Sequence, residues 1–141
     1  MIIPDINLLI FVHNKDTQWH KPTYTWWESV IHGNELVGIS WIVANGFIRI
    51  MTHPKVMERP LRTDTACEVV EEWFSFAHIQ PLAPGPNHLT IFKRCLRDCG
   101  VGGNLVTDAH IAALAMEFNG TVYSNDRDFG RFQGLKWKNP L

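Results

Sequence analysis

The segment from residue 104 to 116 has the sequence Asn-Leu-Val-Thr-Asp-Ala-His-Ile-Ala-Ala-Leu-Ala-Met, with a single carboxylate at Asp108. This composition predicts a helix that is apolar on nearly every side, and such helices usually lie in the core of a protein. An ionised carboxylate in a core is costly unless a cation or a metal ion accompanies it. Asp108 therefore predicts a partner elsewhere in the chain.

Length and charge narrow the class of protein. A chain of 141 residues suits one domain with a sizeable core. The net charge of −1 argues against a broad basic surface for nucleic acid or anionic membranes. A nuclease stays possible, because an acidic site can recruit its substrate through metal ions.

The first residues of the sequence and the cysteine count bear on the cellular location of the protein. Met1-Ile2-Ile3-Pro4-Asp5 lacks the basic segment of a signal peptide, and no segment is long and apolar enough to span a membrane. The odd count of 3 cysteines favours reduced thiols. We therefore expect a cytoplasmic protein without a membrane span.

Strands and helices alternate along the sequence. Apolar runs predict strands at residues 2–5, 37–39, 79–82 and 121–124. Helical periodicity predicts helices at residues 19–31, 40–50, from 63 onwards, 87–98 and 104–118, with a short helical turn at 126–132. Trp27, Trp41 and Trp73 fall on apolar helical stripes and are predicted in the core. The alternation predicts an α/β fold, a parallel sheet with helices on both faces, in a single domain over residues 1–141.

Acidic residues follow two of the predicted strands. Asp5 ends the first strand, and Asp126 and Asp128 follow the last one. Ligands bind outside the carboxyl ends of the strands in open α/β sheets, so these carboxylates are expected at one edge. Asp108 lies about one turn into its helix, and Asn104 is four residues earlier on the same face. Three acidic segments are therefore expected to converge.

Converging carboxylates favour one kind of chemistry. Carboxylates within about 4–6 Å of one another repel and raise each other's pKa unless a cation joins them. Oxygen ligands of this kind suit Mg²⁺ or Mn²⁺, and the fitting reaction is phosphodiester hydrolysis by a metal-activated water. Taken singly, Asp5 also fits a turn cap, and Asp126 or Asp128 fits a helix N-cap.

The whole chain resembles the PIN-domain ribonucleases of the VapC toxin family. The matching segments are Pro4-Asp5-Ile6-Asn7, Thr107-Asp108-Ala109-His110-Ile111-Ala112-Ala113-Leu114-Ala115 and Ser124-Asn125-Asp126-Arg127-Asp128-Phe129, together with the tail from residue 132 to 141. The motifs stand in the family's order and cover essentially the full length. The resemblance implies a three-layer PIN-like sandwich with a small, mostly parallel sheet.

The resemblance also implies site residues and partners. Asp5, Asp108 and Asp126 would be catalytic, metal-binding acids, and Asp128 would be an additional metal ligand. The supporting candidates are Asn7, Asn104 and Arg49. The implied activity is a Mg²⁺- or Mn²⁺-dependent endoribonuclease that cleaves RNA and is held inactive by a cognate VapB-type antitoxin. A homodimer is expected.

One position departs from the family pattern. Many relatives carry a glutamate in an E-x-x-R frame on the helix after the second strand, where this chain has Gly46-Phe47-Ile48-Arg49. Gly46 alternatively serves close helix packing. Arg49 either pairs with a site acid, contacts RNA or covers the apolar helix surface.

Two other functions fit part of the sequence. The missing glutamate also fits a degenerate PIN module that binds RNA or protein without cleavage. A haloacid-dehalogenase-like phosphohydrolase also places an aspartate after its first strand, but it needs a second one where this chain has Asn7. His110 lies on a different side of the helix from Asp108 and is expected to be a packing or surface histidine. Trp26 and Trp27 cannot share a helix face, so one of the two is expected to be partly exposed.

Overall fold

A computed structural model describes residues 1–100 and 102–141, whose strands form one five-stranded sheet in the order β3-β2-β1-β4-β5. Every strand pair in it is parallel. The strands are β1 Ile2–Pro4, β2 Val37–Ser40, β3 Ile79–Leu82, β4 Thr121–Tyr123 and β5 Lys136–Lys138. The helices are α1 Ile6–His13, α2 His20–Ile31, α3 Trp41–Met51, α4 Thr63–Ser75, α5 His88–Cys99 and α6 Leu105–Glu117, with a 3₁₀ helix Arg127–Arg131.

The strand order places the helices in two layers. Connections between parallel strands are right-handed, and the chain moves outward from β1 through β2 to β3 before crossing back to β4. Helices α1 to α4 therefore cover one face, where α1 packs on α2 and α3, and α3 packs on α4. Helices α5 and α6 cover the other face, together with the 3₁₀ helix. The predicted α/β sandwich with helices on both faces is confirmed.

The buried residues explain why the sheet takes this form. Ile3, Ile39 and Val122 come from adjoining strands and are fully buried, as expected for a parallel sheet covered on both sides. The proline Pro81 lies inside β3, and the strand order puts β3 at an edge, where a missing backbone N–H is tolerated.

Two elements were not predicted from the sequence. Helix α1 begins directly after Asp5, and its sequence Ile-Asn-Leu-Leu-Ile-Phe-Val-His is apolar on too many sides to show a helical stripe. Strand β5 is only 3 residues long and alternates lysine, tryptophan and lysine. It is ordered by pairing with β4, which no local pattern reveals.

One core prediction is wrong. Trp27 and Trp73 are buried, but Trp41 is 59% exposed. Trp41 is the first residue of α3, so it lies at the rim of the helical layer, where its ring packs at 5.7 Å against Phe74 of α4. Ala44 and Met51, which follow Trp41 at helical spacing in α3, are buried. Among the described residues, no helix has the length and apolar character needed to cross a membrane.

Candidate active site at the carboxyl edge of the sheet

Asp5 lies at the junction between β1 and α1. Its backbone N–H donates to the carbonyl of Tyr123 (2.9 Å), which carries the β1–β4 pairing one residue beyond the strands. Its side chain caps α1, because Oδ1 accepts a hydrogen bond from the backbone N–H of Ile6 at 2.7 Å. The carboxylate is buried and is held in one orientation.

Ser124 connects the first and last acidic segments. Its buried hydroxyl donates to Asp5 Oδ2 at 2.7 Å, and it accepts from Asn7 Nδ2 and from the backbone N–H of Asp126, both at 2.9 Å. Asn7 Oδ1 in turn accepts from the backbone N–H of Asn125 at 3.4 Å. Two segments more than a hundred residues apart are thus fixed around one hydroxyl. The sequence interpretation did not include Ser124 among the site residues, although its position two residues before Asp126 was a usable signal.

Asp126 and Asp128 lie at the start of the 3₁₀ helix. Asp126 is its N-cap, and its Oδ1 accepts from the backbone N–H of Asp128 at 2.9 Å. Asp128 Oδ1 accepts from Arg131 Nε at 2.7 Å. The N-cap alternative considered for these residues therefore holds for Asp126. One oxygen of each carboxylate has no hydrogen bond from the described residues.

Asp108 approaches the same edge from α6, on the other face of the sheet. It is in the first turn of the helix and half-buried, and it accepts no hydrogen bond from another described residue. This position agrees with the prediction that Asp108 lies about one turn into its helix. A carboxylate in the first turn gains from the partial positive charge of the helix N-terminus.

The pKa shifts of Asp5 and Asp108 include electrostatic repulsion from the other carboxylates of the site. Burial raises the pKa of Asp108 to about 7, and repulsion from Asp5, Asp126 and Asp128 adds to the shift. Burial raises the pKa of Asp5 to about 6, against the hydrogen bonds from Ser124 and Ile6, and Asp126 adds repulsion. The three predicted acidic segments are therefore within electrostatic range of each other.

Two supporting candidates are not brought to the carboxylates. Arg49 is exposed on α3 and forms no ion pair with any described residue. It is also absent from the charges that shift the pKa of Asp5 or Asp108. Asn104 is exposed ahead of α6 and makes no side-chain capping bond there. Of the supporting candidates, Asn7 alone is hydrogen-bonded to the site.

Gly46 occupies the position where the family resemblance led us to expect a glutamate. It is buried in α3, and a Cβ at this position would be 2.7 Å from Cδ1 of Ile6, the residue after Asp5. Because the Ile6 side chain fills the space that a residue-46 side chain would enter, the glycine allows α3 to approach α1. The close-packing alternative for Gly46 is confirmed.

A second polar cluster lies at the other end of α6. Glu117 accepts hydrogen bonds from the backbone N–H groups of Gly85 and Asn87 at 3.1 and 3.2 Å. His88 Nδ1 lies 3.5 Å from Glu117, and its Nε2 shares a hydrogen bond of 2.9 Å with His110 Nδ1. Burial lowers the pKa of His110, and the neighbouring His88 lowers it further. His110 is a packing histidine, as expected.

The donor set of the acidic edge fits a hard divalent cation. Within residues 1–100 and 102–141, no three His, Cys, Asp or Glu side chains are already arranged as a metal-binding group. The chemistry of the donors nevertheless suits Mg²⁺ or Mn²⁺, because all four are carboxylates and their repulsion would be relieved by a positive ion. Asp5 is also held in place by Ser124 and the backbone, as a ligand should be.

A curated relative identifies the family. The chain is 38% identical over 141 residues to ribonuclease VapC33 of Mycobacterium tuberculosis, covering 100% of this chain and 99% of that protein. The chain belongs to the VapC ribonuclease family. No model in a scan of protein families matches it. The VapC assignment favours a nuclease over the haloacid-dehalogenase alternative.

Solved structures have the same fold. VapBC-1 from nontypeable Haemophilus influenzae superposes with a TM-score of 0.71 at 18% identity, covering 99% of this chain and 98% of that one. VapC20 of Mycobacterium tuberculosis, described as a Sarcin-Ricin loop cleaving toxin, gives a TM-score of 0.69 at 14% identity, covering 96% and 99%. The VapC fold thus extends over nearly the full length of this chain.

Proposed function

We propose that this VapC-family chain is the toxin of a type II toxin–antitoxin pair, a divalent-metal-dependent endoribonuclease with Asp5, Asp108 and Asp126 as its catalytic acids. The observation that carries the proposal is the mutual repulsion of Asp5, Asp108, Asp126 and Asp128 at the carboxyl edge of the sheet. A single PIN domain over residues 1–141 is proposed, since strands from both chain ends join one sheet.

The chain's own residues would hold the ion and orient the substrate. Asp5, Asp108 and Asp126 would bind Mg²⁺ or Mn²⁺, and Asp128 would add a ligand or hold it through water. When bound, the ion would activate a water for attack on a phosphodiester and stabilise charge on the phosphate oxygens. Ser124 and the N–H of Ile6 keep the Asp5 carboxylate in its orientation while substrate binds.

The helices that carry the acids influence their ionisation and their position. The first turn of α6 favours the ionised form of Asp108, against the effects of burial and neighbouring charge. Asn7 holds the Ser124 hydroxyl and the backbone of Asn125, so the last acidic segment keeps its place against the first. A site on rigid elements positions a scissile phosphate more accurately than one on loops.

The proposal includes protein partners. VapBC structures from several bacteria, among them VapBC2 of Rickettsia felis bound to a promoter DNA fragment, share this fold. By family membership we propose a VapB-type antitoxin as the inhibitor of this chain, a homodimer as its assembly and the cytoplasm as its location. Light scattering tests the homodimer by measuring the size of the assembly. Co-purification with the product of a neighbouring reading frame tests the antitoxin.

RNA cleavage tests the activity. The purified chain should cut single-stranded RNA in Mg²⁺ or Mn²⁺ and stop when EDTA removes the ion. Asp108→Asn keeps the shape of the side chain but removes its charge, and it should lower the cleavage rate by more than about 100-fold, since even outer-shell partners of metal ligands contribute 10–100-fold. RNA ends mapped by sequencing give the measurement.

A matched variant separates loss of the site from general damage. Asp64→Asn changes an exposed aspartate on α4 and should cleave at the wild-type rate. Cleavage that persists in EDTA would exclude the metal-dependent mechanism. A wild-type chain that binds RNA but never cuts it would support the non-cleaving PIN module that the missing glutamate at position 46 suggests.

A further inference from the structure

An aromatic pair lies beside the acidic edge, on the sheet face opposite α6. Trp26 of α2 stacks on Tyr123 of β4 with ring centroids 5.7 Å apart and planes inclined by 22°. Both side chains are half-buried, packed against the core on one side and reaching the surface on the other. Trp27, the next residue of α2, is buried in the core, so only Trp26 of the two presents its ring at this edge.

A lysine extends this surface onto the edge strand. Tyr123 and Lys138 are partners in the parallel β4–β5 register, so their side chains leave the same face of the sheet. Strand neighbours are about 4.8 Å apart, which puts the base of the Lys138 side chain next to Tyr123. Lys138 is exposed and forms no ion pair with the described residues, so its ammonium charge is not neutralised.

The aromatic pair adjoins two of the acids, Asp5 in the sheet and Asp126 along the chain. The backbone carbonyl of Tyr123 accepts the N–H of Asp5, and three residues on from Tyr123 is Asp126. Three residues span at most about 11 Å, so a base on the aromatic pair and a phosphate at the carboxylates fit one short strand.

We propose that Trp26, Tyr123 and Lys138 form a binding subsite for one unpaired nucleotide of the RNA, next to the cleaved bond. This inference rests on the proposed ribonuclease function and specifies how that site holds its substrate. The base stacks on the Trp26–Tyr123 pair, as bases stack on aromatic side chains in proteins that bind single strands. Lys138 contacts the adjoining phosphate.

Binding of short RNAs to an Asp108→Asn parent tests the subsite without cleavage. Fluorescence anisotropy in Mg²⁺ compares a fluorescein-labelled single-stranded RNA with a strand of the same length in which every ribose is abasic, so the comparison does not require that a cleavage position be known. In that parent, Trp26→Leu should weaken binding of the intact RNA about tenfold, in line with the contribution of one stacked base. It should leave binding of the abasic RNA unchanged, and Trp26→Phe should recover most of the loss.

Matched variants exclude a general effect on folding. Trp41→Leu removes an exposed tryptophan of α3, and this variant should bind both RNAs like the parent. Lys138→Ala should weaken both RNAs alike and lower the salt dependence by about 0.7 in the log–log slope, the value for one phosphate contact in single strands. Lys93→Ala, which removes an exposed lysine of α5, should change neither.

The outcomes distinguish this subsite from the ribonuclease activity itself. Equal weakening of intact and abasic RNA by Trp26→Leu, or no weakening of either, would overturn the stacking role. A base-dependent loss together with a wild-type chain that cuts no RNA would leave the subsite standing and refute the catalytic proposal.

Discussion

Helix α6 carries a carboxylate near each end, and the two have opposite electrostatic surroundings. Glu117 at the end of α6 meets donors, since two backbone N–H groups bind it and His88 lies beside it. Asp108 in the first turn meets acids, and burial and repulsion raise its pKa to about 7. The fold alone satisfies the carboxylate at one end, and we propose that a cation completes the other. A buried carboxylate thus indicates function when its neighbours share its charge.

The hydrogen bonds around Glu117 also differ in purpose from those around Asp5, the carboxylate beside Asp108. The contacts of Glu117 close the connection between β3 and α5, so they act on stability. The contacts of Asp5 come from Ser124 and Ile6 and fix the direction of a carboxylate that still carries unfavourable charge. We therefore expect substitutions at the two ends of α6 to separate stability from activity.

Among substitutions that leave the four carboxylates in place, the largest effect on cleavage is expected at Ser124. Ser124→Ala removes the hydroxyl that orients Asp5 and joins it to Asn7 and Asp126, and we expect cleavage to fall 10- to 100-fold, about the effect of losing an outer-shell partner. The pKa of Asp5 should rise further, because the bond from Ser124 lowers it. RNA cleavage rates across pH report both changes. Ser75→Ala, which removes an exposed hydroxyl on α4, is the control, and equal rates for the two variants would contradict the role of Ser124.

The pH dependence of cleavage is the next largest effect. Asp5 and Asp108 must be ionised to bind a cation, and without one their pKa values are raised to about 6 and about 7. At limiting metal concentration, the rate should therefore drop as pH falls through 7, by about tenfold per pH unit for each proton taken up. Higher Mn²⁺ should move this drop to lower pH. A profile unaffected by Mn²⁺ concentration would argue against carboxylates as the metal ligands.

A stability effect without an activity effect is expected at Glu117. Glu117→Gln weakens the bonds to Gly85 and Asn87 and leaves His88 without its carboxylate, which should cost about 1–2 kcal/mol in the free energy of unfolding. Urea denaturation measures this, and RNA cleavage per folded molecule should stay at the wild-type level. Glu68→Gln, at an exposed glutamate of α4, is the matched control. A loss of cleavage with unchanged stability would reverse the contrast drawn between the two ends of α6.

The smallest effect is a gain of stability at Asp108. Its folded-state pKa lies above the ordinary aspartate value of 3.8, so the metal-free protein loses stability as pH rises from about 4 to about 7. Asp108→Asn removes that loss and should stabilise the metal-free chain by about 1 kcal/mol near pH 8, a small share of the full shift because solvent screens a half-buried group. Urea denaturation in EDTA measures this change in the free energy of unfolding. Destabilisation by Asp108→Asn at this pH would contradict the repulsion at the site.

The sequence predicted the sheet and most helices because their signals are local. Short apolar runs marked four of the five strands. Gly100 and Asn119, both with positive φ, follow the two helices whose ends were predicted at residues 98 and 118. Asp108 was found because a carboxylate among Leu, Ile and Ala has no local explanation. Gly46 was correctly linked to close packing, although its neighbour Ile6 was not foreseen.

The parts that were missed depend on contacts between distant segments. The role of Ser124 arises because β1 and β4 are adjacent in the sheet, which a single sequence does not state. Strand β5 exists through pairing with β4, and α1 is too uniformly apolar to show a period. The exposure of Trp41 follows from its place at the first position of α3 rather than from its stripe.

Calorimetric titration with Mn²⁺ tests the central claim most directly. After removal of metals with EDTA, the wild-type chain and Glu117→Gln should bind Mn²⁺ near pH 7 and release protons, seen as different heats in buffers of different ionisation enthalpy. Asp108→Asn should bind far more weakly and release fewer protons. Mn²⁺ binding by Asp108→Asn that matches the wild-type chain, or no binding by the wild-type chain, would contradict a cation site formed by these carboxylates.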